Sequence, residues 1–250
     1  METLSDFVDS VEARRKTLEV HTDDAAVATA LESQFSTRNV DVTRRQFSDR
    51  EGDDFVVVRD AEGTFLGALG TDQLEQILSP ETHPPQVLAD SEVDLGEILD
   101  VLDRTVFTSF ERRQLVAIVR EFEERAWRVG TGTVYVGFQR AEALAAQTPL
   151  YNRLARETDL SITVFLDDAA DPDRDTADLD LDDSIGVVSP ESAEIGQYWF
   201  FVFDGGADGE LYKCALLAAE RTPGSYHGFW TDGPGLVDDL YTYLRTRYVA

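Results

Sequence analysis

The sequence predicts an α/β (α+β) protein: a C-terminal mixed sheet with a βαβ unit and an antiparallel meander flanked by helices, plus a small N-terminal α+β unit. Three observations carry this. Residues 133–138 and 160–166 are runs of β-branched and aromatic residues separated by a helical pattern over 141–156, the spacing of a right-handed crossover between parallel strands. Short apolar runs at 186–188, 198–203, 211–218 and 226–231 then alternate with turns, several glycine-rich, which reads as an antiparallel meander. Hydrophobic residues make up 42% of 250, enough to bury a core and too many for a disordered chain.

The elements follow in order. Residues 16–21 read as a strand. Asp23 and Asp24 are N-cap choices for a helix carrying Ala26, Val27, Ala30, Leu31 and Phe35 on one face. Residues 40–43 alternate as a strand does, and 55–59 and 64–69 flank the hairpin signal Asp60-Ala61-Glu62-Gly63. Thr71 or Asp72 starts a short helix through Leu78, which Pro84-Pro85 forbids from continuing. Residues 1–85 are therefore read as the small unit of unknown role. Residues 86–107 form a helical linker, with Val93, Leu95, Ile98, Leu99 and Leu102 at helical spacing.

The second half, 108–247, opens on Thr108-Ser109-Phe110-Glu111, which fits a capping box with Thr108 at the N-cap. Leu115, Ile118, Val119, Phe122 and Ala126 then form an apolar stripe, Glu121–Arg125 and Glu124–Arg128 are favourable i, i+4 pairs, and Gly130 closes the helix. Pro149 predicts a bend in the helix over 141–156. In 198–203 the period of two separates Tyr198, Phe200 and Val202 from Trp199, Phe201 and Phe203. Both faces are apolar, so this is a central strand covered on both sides. Asp232-Gly233-Pro234 opens a last helix with Leu236, Val237, Leu240 and Leu244 facing the core.

Charge narrows the function. There are 49 Asp and Glu against 22 Lys and Arg, a net charge of −27, and only Lys16 and Lys213 are lysines. Such a surface repels itself unless salt screens it, and the Asp-rich, Lys-poor balance resembles proteins of salt-in halophilic archaea. Direct nucleic-acid binding is not expected without a basic footprint. Arg14-Arg15-Lys16, Arg44-Arg45 and Arg112-Arg113 read as solvated surface. The apolar runs fall short of the roughly 20 residues that span a bilayer, and the acidic start Met1-Glu2-Thr3-Leu4-Ser5-Asp6 is unlike a secretory leader. A cytoplasmic protein is expected, without membrane association.

Catalytic signatures are weak. Cys214 is the sole cysteine and lies in an apolar run, a buried structural thiol. Asp171-Pro172-Asp173-Arg174-Asp175 opens like a calcium loop, but Thr176 stands where glycine is needed and Asp182 where a glutamate is usual, so a solvated acidic loop is expected. Gly224-Ser225-Tyr226-His227-Gly228 lacks the nucleophile-elbow spacing and reads as a turn entering a strand. Gly130-Thr131-Gly132-Thr133 precedes a strand, the wrong order for a phosphate loop. His21, His83 and His227 have no metal-ligand spacing. No metal, cofactor or catalytic residue is expected. The remaining candidates are aromatic: Trp127, Trp199 and Trp230, with Phe138 and Gln139, as core or as the wall of a pocket for a small ligand.

Arg112-Arg113-Gln114 with Arg120-Glu121-Phe122-Glu123-Glu124-Arg125-Ala126 resembles the opening helix of the DICT family, a sensory domain associated with diguanylate cyclases and two-component systems. Gly137-Phe138-Gln139 is similar to that family's "xFQ" element. Tyr151-Asn152-Arg153-Leu154-Ala155, Trp199-Phe200-Phe201-Val202-Phe203-Asp204, Leu217-Ala218-Ala219-Glu220 and Gly228-Phe229-Trp230-Thr231 follow in the family's order, over roughly 105–245. The resemblance implies a cytoplasmic signal-sensing module without catalysis, which binds a ligand or a signalling partner protein. Two alternatives stand beside it. One is an enzyme with a site assembled from scattered residues such as Arg125, Gln139, Glu220 and His227. The other is an interaction scaffold, a homodimer for instance, docking through the aromatic surface or the 111–128 helix.

Overall fold

The computed structural model describes residues 1–35, 39–46, 54–71, 110–167, 180–190 and 192–249. The short helix after Asp72, the Pro84-Pro85 boundary, the 86–107 linker, His83 and most of the acidic loop of 167–183 lie outside the described residues. The fold is α+β, and the chain divides into two compact units: Ser10–Val106, and Met1–Asp9 together with Phe107–Ala250. The division falls within helix α1 (Leu4–Glu12), so the first nine residues group with the C-terminal unit.

The Ser10–Val106 unit holds a four-stranded sheet in the order β2-β1-β3-β4. Strands β1 (Lys16–His21) and β2 (Val40–Arg45) pair in parallel across helix α2 (Ala25–Phe35). Asp24 caps that helix, its Oδ1 accepting from the Ala26 N–H at 2.8 Å. Strands β3 (Phe55–Arg59) and β4 (Phe65–Gly70) form the hairpin read from Asp60-Ala61-Glu62-Gly63. Leu18, Val20, Leu31, Phe35, Val56, Val58 and Leu69 make its core.

The other unit is built on a seven-stranded sheet in the order β5-β11-β10-β9-β6-β7-β8. Helix α3 (Arg112–Val129) leads into β6 (Thr131–Phe138), helices α4 (Ala141–Ala145) and α5 (Thr148–Glu157) cross over, and β7 (Asp159–Leu166) returns parallel to β6. The bend foreseen at Pro149 is a full break: proline sits in the first turn of α5, where its missing N–H costs nothing. Strands β9 (Tyr198–Phe203), β10 (Cys214–Thr222) and β11 (Ser225–Thr231) are the antiparallel meander, and α6 (Pro234–Leu244) follows. Strand β9 is fourth of seven, with Phe200, Phe201, Val202 and Phe203 all fully buried, as its two apolar faces require.

The sheet has two covered faces. Val136, Phe201 and Leu216 look toward α3 and α5, meeting Val119, Phe122, Tyr151 and Leu154. On the other, Tyr135 stacks on Tyr241 of α6 at 4.9 Å, and Phe165 packs edge-on against Phe200 and Tyr248. Glu194 fastens both chain ends there, accepting from the Leu4 N–H (2.5 Å) and the Tyr243 (2.7 Å) and Tyr248 (2.5 Å) hydroxyls.

Three local expectations are corrected. Phe110 and Glu111, read as part of a capping box, are strand β5 instead, paired with Tyr226 and Ser225 of β11, and the helix starts at Arg112; Thr108 lies outside the described residues. Residues 186–188 (β8, Gly186–Val188) are not part of the meander but lie parallel to β7. Arg128 pairs with Glu121, at 3.5 Å, rather than with Glu124. Asp232-Gly233-Pro234 opens α6 as read from sequence, with Gly233 at the N-cap position, Pro234 first in the helix and Asp232 turned to Arg125.

Candidate functional site

The meander and the βαβ unit bring four strand ends to one edge of the sheet. Phe138 ends β6, Trp199 lies at the start of β9, Glu220 lies near the end of β10, and Tyr226 near the start of β11. Strand β6 is also where the sheet changes from parallel pairing, with β7 on one side, to antiparallel pairing, with β9 on the other. The ends of parallel strands are habitual ligand sites in α/β sheets. Helix α3 passes over this edge and presents Arg112, Val116, Val119, Arg120 and Glu123, spaced to fall on one helix face. With Gln139 and Arg140 from the turn after β6, Gln147 and Tyr151, they enclose a cavity of about 200 Å³.

Two edge-to-face aromatic pairs form its apolar walls. Phe138 meets Tyr151, and Trp199 meets Tyr226, each with centroids 6.0 Å apart. Between them runs a chain of polar contacts. Glu123 accepts a hydrogen bond from the Tyr151 hydroxyl at 2.8 Å and an ion pair from Arg120 at 2.7 Å. Arg120 also donates to the Gln147 side-chain oxygen at 2.5 Å. Glu220 accepts from the Gly224 N–H at 2.8 Å and faces Arg140 at 3.7 Å. Gln139 donates to the Gln197 carbonyl at 2.7 Å.

Burial dominates the protonation of this network. The Glu123 side chain is only 4% exposed, and loss of water pushes its pKa above the ordinary carboxyl value despite the opposing pull of Tyr151 and Arg120. The buried Tyr151 hydroxyl is pushed well up, first by burial and then by the neighbouring Glu123 charge. Tyr226 is also raised by burial.

Of the five residues singled out from sequence, the fold gathers Phe138, Gln139 and Trp199 in the cavity lining. Trp127 is not in that lining; it packs on the core from the far half of α3, under the Arg153 guanidinium at 4.5 Å. Trp230, on β11 opposite Leu216, also packs on the core away from the cavity. Among the residues of the enzyme alternative, Gln139 and Glu220 reach the cavity. Arg125 instead bridges Asp232 at 2.5 Å and Glu121 at 3.5 Å, and His227 pairs along β10 with Ala219. Cys214 is buried, and its thiol is raised by burial. Sequence reading missed Arg112, Arg120, Glu123 and Arg140 as site residues. Their one legible signal is on α3, where Arg112, Val116, Arg120 and Glu123 repeat beside the core stripe with helical period.

The fold thus places an aromatic cavity at the strand ends of a mixed sheet, and the sequence comparison gives the family. Residues 94–221 match the family described as "Sensory domain in DIguanylate Cyclases and Two-component system". The chain belongs to this DICT family and carries a sensory domain of the kind found in signalling proteins. The match begins within the segment read as a linker and ends at Arg221, short of Gly228-Phe229-Trp230-Thr231. No curated protein matches the sequence. Among solved structures, polyphosphate kinase from Porphyromonas gingivalis is similar at a TM-score of 0.36 and 11% identity, over 97% of this chain and 48% of that chain. The chain thus spans about half of that enzyme's length, and so slight a likeness bears on neither fold nor activity. No described helix is long and apolar enough to cross a membrane.

Proposed function

We propose that the C-terminal unit is a non-catalytic receiver, which binds a small molecule in the cavity beneath α3 and signals its occupancy to a partner protein. The observation that carries this reading is the convergence of Phe138, Trp199, Tyr151 and Tyr226 around open space at one sheet edge, in a domain of a sensory family. A ligand there touches both α3 and the strand ends. It therefore has contacts through which its binding energy can bias the position of the helix. The acidic, lysine-poor composition supports a salt-rich cytoplasm as the setting and a protein rather than nucleic acid as the partner.

A metabolite screen by thermal shift in molar KCl tests it. A ligand of the cavity raises the unfolding midpoint by mass action and alters Trp199 emission in a Trp127→Phe, Trp230→Phe chain. If every ligand that stabilises the protein leaves Trp199 emission unchanged and is unaffected by Ala143→Leu, which fills the cavity wall, binding lies elsewhere and the reading fails.

A further inference from the structure

We infer that the cavity selects a small anionic aromatic molecule: one ring bearing a single carboxylate or phosphate group, the ring between the aromatic walls and the acid on the arginines at the rim. This deepens the receiver reading and rests on it. Size sets the first limit. A cavity of about 200 Å³ accepts a single ring, given that a cavity of roughly 150 Å³ holds benzene. Wall chemistry sets the second. The two edge-to-face pairs, Phe138–Tyr151 and Trp199–Tyr226, present aromatic surface from two sides, which suits a further ring.

Charge decides the sign. The lining has Arg112, Arg120 and Arg140 against Glu123 and Glu220, an excess of positive charge in a chain of net charge −27. Both carboxylates already have donors: Glu123 has Arg120 and Tyr151, and Glu220 has the Gly224 N–H. The arginines are less well supplied. Arg140 reaches Glu220 only at 3.7 Å and its side chain is 72% exposed. No carboxylate among the described residues pairs with Arg112, at the first position of α3. A cationic ligand would meet three guanidiniums and carboxylates already occupied. An anion would complete Arg112 and Arg140, whose forked donors suit carboxylate and phosphate oxygens alike.

Isothermal titration of the full chain in 0.5 M and 3 M KCl with benzoate, phenyl phosphate, benzamide and benzylamine tests this. The expected result is binding of benzoate or phenyl phosphate at least tenfold tighter than benzamide, no binding of benzylamine, and a smaller preference in the higher salt. The two acids distinguish a carboxylate from a phosphate ligand. In Arg112→Gln, Arg140→Gln, both exposed positions, the preference for acid over amide is lost while benzamide binding persists. If benzamide or benzylamine binds as well as the acids, the anion assignment is overturned and the receiver reading stands. If none of the four binds or changes tryptophan emission, the anionic aromatic assignment is overturned, and the metabolite screen alone decides the receiver reading.

Discussion

Glu123 is a carboxyl group held where water scarcely reaches, between the Tyr151 hydroxyl and Arg120. Its folded-state pKa is raised, so the folded chain holds this proton more tightly than the unfolded chain does. The resulting stabilisation is fully present below the ordinary carboxyl value of 4.5 and is lost as pH rises through the raised value. Glutamine keeps the shape and cannot ionise. The Glu123→Gln chain is therefore expected to gain stability relative to the parent as pH rises from about 4 to about 7, by roughly 1 kcal/mol per unit of pKa shift. Urea unfolding of both chains across that range reads the difference directly. A difference that falls with pH would mean that Arg120 holds the group ionised. Asp182 shows the opposite case on the surface: the Ser184 hydroxyl, with Arg156 and the Ser184 N–H, brings its pKa down to about 2. The two acids look alike in sequence. What separates them is burial, which one glutamate among three in Arg120-Glu121-Phe122-Glu123-Glu124-Arg125 does not announce.

At the scale of elements, β6 shows how closely the sheet and its aromatic layer are fitted. Gly137 lies beside Phe200 of β9, and a Cβ at that position would stand 2.1 Å from the phenyl ring. Phe200 is fully buried and packed edge-on against Phe165 at 5.4 Å, so it has no room to withdraw. Gly137→Ala is expected to cost about 1–3 kcal/mol through overpacking, seen as a lower urea midpoint with an unchanged slope. The double change Gly137→Ala, Phe200→Leu should cost less than the sum of the two single changes, because the clash is shared. The glycine read from sequence as part of a strand end thus has a packing reason. The βαβ unit and the central place of β9 were legible because each rests on a local pattern: strand, helix, strand for the first, and two apolar faces for the second. Strands β5 and β8 were not. A two-residue strand has no period, and the direction of a three-residue strand is set by its neighbour β7 rather than by its own residues. The pairing of Phe110 and Glu111 with β11 was hidden for the same reason, since its partners lie more than a hundred residues along the chain.

The whole molecule sets the candidate site against its own surface. The lining was half legible, because Phe138, Gln139 and Trp199 stand beside strand ends that sequence locates, whereas Arg112, Arg120 and Arg140 become neighbours only once α3 crosses those ends. Those arginines lie in a chain where acids outnumber bases 49 to 22, and that imbalance governs stability. Ion pairs such as Arg125–Asp232, Lys213–Asp238 and Arg156–Asp182 engage part of the basic complement, and the acids in excess repel one another in the compact state. Screening shortens the reach of that repulsion from about 10 Å at 0.1 M salt to about 3 Å at 1 M. The unfolding midpoint is expected to climb steeply with KCl over this interval, by about 5–10 °C, which at 2–4 °C per kcal/mol corresponds to relief of about 1–5 kcal/mol. Screening predicts that most of the rise comes below 1 M and that KCl and NaCl act alike there. Stabilisation by exclusion of a cosolute from the surface predicts a rise that continues with concentration, and sucrose reproduces it. Calorimetry in the two salts and in sucrose separates these. A midpoint flat below 1 M KCl would show that the ion pairs and the spacing of the acids already hold the repulsion down, and the composition would then reflect something other than a need for salt.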